Sequence, residues 1–105
     1  MVKYIESLSE FTVLVETAGD KLLVIDYTAK WCGPCQKIAP VFEALADKYP
    51  CVLLYKVDVD EAEDIAGANG IKAMPTFHFY KNGAKIEELR GADPAKLEAL
   101  VAKHM

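Results

Sequence analysis

No apolar stretch of this chain is long. Leu22 to Ile25 is a run of four residues, far short of the roughly 20 that a helix needs to span a bilayer, so no membrane association is expected. No targeting signal is expected either. Met1 to Glu10 contains Lys3 but soon reaches Glu6 and Glu10, with no unbroken apolar segment and no Arg-rich amphipathic face. Ala102-Lys103-His104-Met105 is neither a retention tetrapeptide nor a lipidation box. Basic charge is scarce: 12 Lys and Arg stand against 16 Asp and Glu. Each half of the chain carries a small acidic excess, which argues against a nucleic-acid partner. Cysteine is sparse as well. Three cysteines cannot all pair with one another, and a chain of this length needs no disulfide staples, so a reducing compartment, the cytoplasm, is expected. Nuclear entry or unconventional secretion stays open. No glycine-rich nucleotide loop is present, so no bound nucleotide cofactor is expected.

What is there suffices for one core. With 105 residues, 52% of them apolar and 27% charged, residues 1–105 read as a single globular domain. Val2 to Ile5 reads as a short strand. Ser7 and Glu10 then form a capping box ahead of Phe11, Leu14, Val15 and Ala18, whose spacing predicts a helix ending at Gly19. Leu22 to Ile25 reads as a central parallel strand covered on both faces, yet it runs directly into Asp26. From Pro34 to Tyr49 the positions Ile38, Phe42, Leu45 and Tyr49 keep a helical period, with Pro40 inside it as an expected kink and Pro50 as its stop. Val52 to Val57 is a second buried strand, and Asp60 with Glu63 reads as the cap of a short helix closing at Gly70. Thr76 to Tyr80 and Lys85 to Arg90 flank Asn82-Gly83, a strong hairpin signal, so the sheet should be mixed. Asp93-Pro94 opens a last amphipathic helix through Leu97, Leu100, Val101 and His104. The expectation is a three-layer α/β domain.

The run Trp31-Cys32-Gly33-Pro34-Cys35 carries the strongest chemical signal. It lies between a buried strand and a helix start, where unpaired backbone N–H groups and the positive end of the helix dipole favour a thiolate at Cys32. Cys35, three residues on, falls on the same helical face, so one thiol can attack a disulfide and the other can resolve the mixed disulfide. Pro34 suits the first helical position because it has no N–H to leave unsatisfied. Zinc would need further ligands, and only Cys51, His78 and His104 remain, with no second close pair, so no metal is expected. Two buried cysteines without chemistry is the other plain reading. Five acids between Asp58 and Asp64 lack EF-hand spacing and read as a helix start with a solvated face.

With these residues in view the chain resembles the thioredoxins, small cytosolic eukaryotic members above all, over nearly its full length. The resemblance rests on Cys32-Gly33-Pro34-Cys35, Asp26 ending the preceding strand, Pro40, Val57-Asp58-Val59-Asp60, Met74-Pro75-Thr76, Lys81-Asn82-Gly83 and Gly91-Ala92. It implies a central five-stranded mixed sheet in the order 1-3-2-4-5, flanked by four helices. It also implies a protein-disulfide reductase that is oxidised at Cys32 and Cys35 and recycled by thioredoxin reductase, with electrons from NADPH and no bound cofactor. The implied targets are ribonucleotide reductase, peroxiredoxins and methionine sulfoxide reductases, and a monomer is expected.

For Asp26 two arguments meet. A carboxylate after so apolar a run should be desolvated, with its pKa raised, and the resemblance makes it the proton acceptor for Cys35 through a water. The plainer alternative is an Asp satisfied by a cap or by a salt bridge with Lys56 on the neighbouring strand; Lys56 could equally modulate it. The resemblance further implies a cis Met74-Pro75 bond beside the disulfide, with Trp31, Gly33, Pro34, Met74, Gly91 and Ala92 forming an apolar docking patch, and Asp60 holding the Trp31 indole. Gly91 could instead be a simple turn and Trp31 a core residue. Lys30 stands where relatives commonly carry a small or uncharged residue, and could favour the Cys32 thiolate or select acidic partners. Tyr27 replaces the more usual Phe and adds a hydroxyl needing a partner. Cys51 reads as a structural thiol. The rival function from another class is a binding or holdase module whose docking patch matters and whose thiols do not.

Overall fold

A computed structural model describes residues 2–105. The nine elements follow one another as β1 (Lys3–Tyr4), α1 (Leu8–Thr17), β2 (Leu23–Thr28), α2 (Gly33–Lys48), β3 (Leu53–Asp58), α3 (Glu63–Ala68), β4 (Thr76–Lys81), β5 (Ala84–Arg90) and α4 (Pro94–His104). The strands form one sheet in the order β1-β3-β2-β4-β5. β3 runs parallel to both β1 and β2, whereas β4 is antiparallel to β2 and β5. The expected mixed sheet and four helices are therefore present.

Side-chain alternation along the strands assigns the helices to two layers. Val24, Leu54, Phe77 and Phe79 share a core with Ile38, Phe42 and Leu45 of α2 and with Leu97 and Val101 of α4. Leu23, Ile25, Tyr27 and Val57 point the other way, onto Phe11 of α1 and Ile65 of α3. β2 is buried at all its positions because helices cover both of its faces. A fully buried leucine such as Leu97 contributes about 1.5–3 kcal/mol by leaving water.

The local signals act as their chemistry requires. Ser7 Oγ accepts from Glu10 N at 3.2 Å and caps α1, while the Glu10 carboxylate turns back to Glu6 N at 2.9 Å. Asp93 caps α4 by accepting from Lys96 N at 3.1 Å. Asn82 and Gly83 have φ of 55° and 78°, the left-handed pair that a two-residue hairpin turn needs.

Three of the differences from the sequence reading bear on the site. β2 does not end near Asp26; its pairing with β3 and β4 carries Asp26 into the interior of the strand, two residues before its end. Pro34 takes the second helical position rather than the first, because α2 already begins at Gly33. Asp60 does not cap α3, which starts at Glu63 behind Ala62 and has no side-chain cap. Asp58 instead organises this turn, its Oδ1 accepting from Asp60 N at 2.9 Å and Glu61 N at 3.3 Å.

Candidate active site

Cys32 is the N-cap of α2, in extended backbone conformation, and Cys35 lies in the first turn of that helix. The two are joined as a disulfide with Cα atoms 5.2 Å apart. Cys35 N donates to Cys32 Sγ at 3.2 Å, so an unpaired N–H at the helix start is aimed at this sulfur. The segment before the helix is also held: Cys32 N donates to Ala29 O at 3.2 Å, and Gln36 Nε2 donates to the same carbonyl at 3.0 Å. Both residues are buried, Cys32 with 5% exposure against 1% for Cys35, so Cys32 is the less enclosed of the two. Such a pair can exist as dithiol or disulfide and exchange electrons with another disulfide.

A second loop faces the pair. The Met74–Pro75 bond is cis, and the Met74 carbonyl oxygen lies 3.8 Å from Cys32 Sγ. Gly91 sits at φ 98° and donates its N–H to Pro75 O at 2.9 Å. Its turn conformation thus serves to tie the end of β5 to the loop beside the disulfide. Gly33, Pro34, Gly91 and Ala92 are exposed, Met74 is half-buried and Pro75 is buried.

Trp31 is not a core residue. It is 69% exposed, and its indole Nε1 donates to Asp60 Oδ2 at 2.8 Å. Neighbouring Lys30 reaches Glu61 Oε1 at 3.4 Å, with both side chains largely in solvent. Asp58, Asp60 and Glu61 are thus engaged with backbone, indole and lysine respectively, and no group of three or more metal-ligating side chains occurs among the described residues. Pro40 lies inside α2, exposed, beyond the first turn. Cys51 is an exposed free thiol ahead of β3 and not a buried structural one, because the turn after Pro50 leaves it outside the sheet.

Asp26 is 1% exposed, and its Oδ1 has no hydrogen-bond partner within the protein. Burial pushes its pKa up to about 7; Lys56 opposes this and Glu43 adds to it. No salt bridge joins Asp26 to Lys56. The lysine instead has its Nζ 3.7 Å from Glu43 Oε2. Glu43, from the third turn of α2, escaped the sequence reading. Only its position one residue after the core residue Phe42 could have hinted that it borders the sheet. The Tyr27 hydroxyl has also lost its access to water, and burial raises its pKa.

Comparison with known proteins places this geometry. The thioredoxin family model, described as "Thioredoxin", matches residues 2–103. A thioredoxin of Ictalurus punctatus is 52% identical over 106 residues, covering 99% of each chain. Among solved structures, the X-ray structure of Fasciola hepatica thioredoxin superposes with a TM-score of 0.95 at 38% identity, covering 100% of each chain. A chain from work on the thiol resolving mechanism in yeast mitochondrial 1-Cys peroxiredoxin via glutathione/thioredoxin systems superposes with a TM-score of 0.90 at 39% identity, covering 98% of this chain and 94% of that one.

Proposed function

The chain belongs to the thioredoxin family and is a protein-disulfide reductase acting through a reversible Cys32–Cys35 pair, and from that premise we propose how its residues divide the work. The carrying observation is the bonded pair at the start of α2, with Cys32 the more accessible sulfur. The reduced Cys32 thiolate attacks one sulfur of a substrate disulfide, forming the mixed disulfide and expelling the other substrate sulfur as a thiolate that takes up a proton. Cys35 then gives its proton to the Asp26 carboxylate through water, and its thiolate attacks Cys32 Sγ. The Cys32–Cys35 bond forms, the second substrate thiol leaves, and two electrons have passed to the substrate. Asp26 releases its proton to solvent. A carboxyl titrating near neutrality suits this exchange.

The substrate docks as an extended segment against the Met74 backbone, in the manner of an added strand. Trp31, Gly33, Pro34, Pro75, Gly91 and Ala92 border that position, and Asp60 fixes the indole. Pro40 shapes α2, and Lys56 modulates Asp26. The protein acts as a monomer, recycled by thioredoxin reductase with electrons from NADPH. Peroxiredoxins, ribonucleotide reductase and methionine sulfoxide reductases form its target class; the similar chain from the yeast peroxiredoxin work supports the first. An exposed free Cys51 supports a reducing compartment, the cytoplasm.

The test is NADPH-coupled reduction of insulin disulfides in the presence of thioredoxin reductase, by wild type and Cys32→Ser. Turnover by wild type alone is expected. Equal turnover by both would overturn the division of roles, and no turnover by either folded, reduced protein would make it a binding module.

A further inference from the structure

The proton-transfer role given to Asp26 raises the question of what sets its affinity for that proton. Alternation along β2 puts Asp26 on the same face as Val24, the face covered by α2 and α4. Its cross-strand neighbours are Lys56 on β3 and the uncharged Phe77 on β4. Helix α2 packs over this face and brings Glu43 to it, while Cys35 of the same helix does not titrate as long as it is in the disulfide. The charges acting on Asp26 are accordingly Lys56 and Glu43.

Geometry decides how these two act. Lys56 is the register partner of Asp26, and its side chain is almost wholly enclosed, so an ammonium there would be the natural counter-ion of the buried carboxylate. Its Nζ is instead drawn to Glu43 Oε2 at 3.7 Å, and it lies 5.8 Å from the Tyr4 ring centroid. Glu43 is anchored for this task by its other oxygen, which accepts from Val2 N at 3.3 Å and ties α2 to the chain beside β1. Asp26 Oδ1 is left without a partner.

We propose that Glu43 is a positioning residue for the proton-transfer step, holding the Lys56 ammonium away from Asp26 so that Asp26 stays a weak acid. Glu43 touches neither sulfur nor substrate. It acts in two ways that agree in sign: its own negative charge disfavours ionised Asp26, and its pairing with Lys56 withholds the cation that would favour ionisation. The inference rests on the reading of Asp26 as the acceptor of the Cys35 proton.

Glu43→Gln keeps the shape and removes the charge. An NMR titration of the Asp26 carboxyl in the oxidised protein, where neither Cys32 nor Cys35 titrates, should show a midpoint roughly half a unit to one unit lower than in wild type. In the reduced protein the resolving step, followed as decay of the mixed disulfide, should have its pH inflection shifted down equally. A full unit from a wild-type midpoint near 7 makes the variant about fivefold faster at pH 6 and nearly unchanged at pH 8. Lys56→Met should move the midpoint the other way, and the Glu43→Gln effect should shrink in the Lys56→Met background. An unmoved midpoint in folded Glu43→Gln, or an undiminished effect in that background, would overturn the proposal. Asp26→Asn separates the two readings. If it leaves the inflection in place, the Asp26 role itself fails; if it abolishes the inflection while Glu43→Gln does not move it, only the role of Glu43 fails.

Discussion

Replacing Asp26 with Asn should stabilise the protein, and by an amount that depends on pH in a calculable way. In the folded chain the carboxyl is raised from 3.8 to about 7, chiefly because burial disfavours its charged form. The folded state therefore holds this proton more tightly than the unfolded state does. Well below pH 3.8 both states are protonated and nothing is lost. As pH rises from about 4 to 7 the unfolded chain releases the proton first, and stability falls; above 7 the loss is complete. A difference of about 3 units at about 1.36 kcal/mol each puts that loss near 4 kcal/mol. Asparagine cannot ionise, so the variant escapes it. Chemical denaturation of both proteins at pH 4.5 and pH 8 should show the stability gap growing by about 3 kcal/mol across that interval, because wild type has already lost about 1 kcal/mol at the lower pH. Any constant cost of the amide cancels in this comparison. A gap that is the same at both pH values would refute the argument that Asp26 is held desolvated. The same variant should slow the decay of the mixed disulfide at pH 8.

Other consequences are simpler. Leu97→Ala, in the fully buried face of α4, should cost about 2–5 kcal/mol in denaturant unfolding. Asp93→Ala removes the acceptor for Lys96 N and should cost about 1 kcal/mol, read from the thermal midpoint. Lys30→Thr should leave both the Cys32 pKa, followed by alkylation rate against pH, and insulin turnover unchanged, because its ammonium is solvent-exposed and turned to Glu61. A drop in thiolate reactivity would mean that this cation acts on Cys32 after all.

The redox pair and the last hairpin were legible because their signals are short in range, whereas the strand order came from the family resemblance. Cys32 and Cys35 lie within one helical turn, and the Asn82-Gly83 turn determines its own backbone. Asp26 was legible as an anomaly, since a carboxylate joined to an unbroken apolar run has nowhere to meet water. Of its two charged neighbours only Lys56 was legible, and Glu43 was not. Lys56 is found by counting along two parallel strands, but the destination of its ammonium depends on how α2 is rotated over the sheet, and that rotation is set by the packing of Ile38, Phe42 and Leu45. Trp31 follows the resemblance and not the plainer core alternative. An indole reads as core on area alone, yet it stands outside in a turn where Asp60 bonds its N–H. That same bond diverts Asp60 from the cap its spacing suggests, while Asp58 takes over the turn. Cys51 stands just before the apolar run Val52 to Leu54, but the turn after α2 leaves the thiol outside the strand that follows.

The central claim is that Cys32 attacks and Cys35 resolves. The direct measurement is mass spectrometry, under non-reducing conditions, of reduced Cys35→Ser and reduced Cys32→Ser after mixing with a peptide carrying one disulfide. Cys35→Ser should accumulate a mixed disulfide at Cys32, with no thiol left to release it, and Cys32→Ser should form none through the enclosed Cys35. An adduct that builds up at Cys35 in Cys32→Ser, with none at Cys32 in Cys35→Ser, would contradict the account.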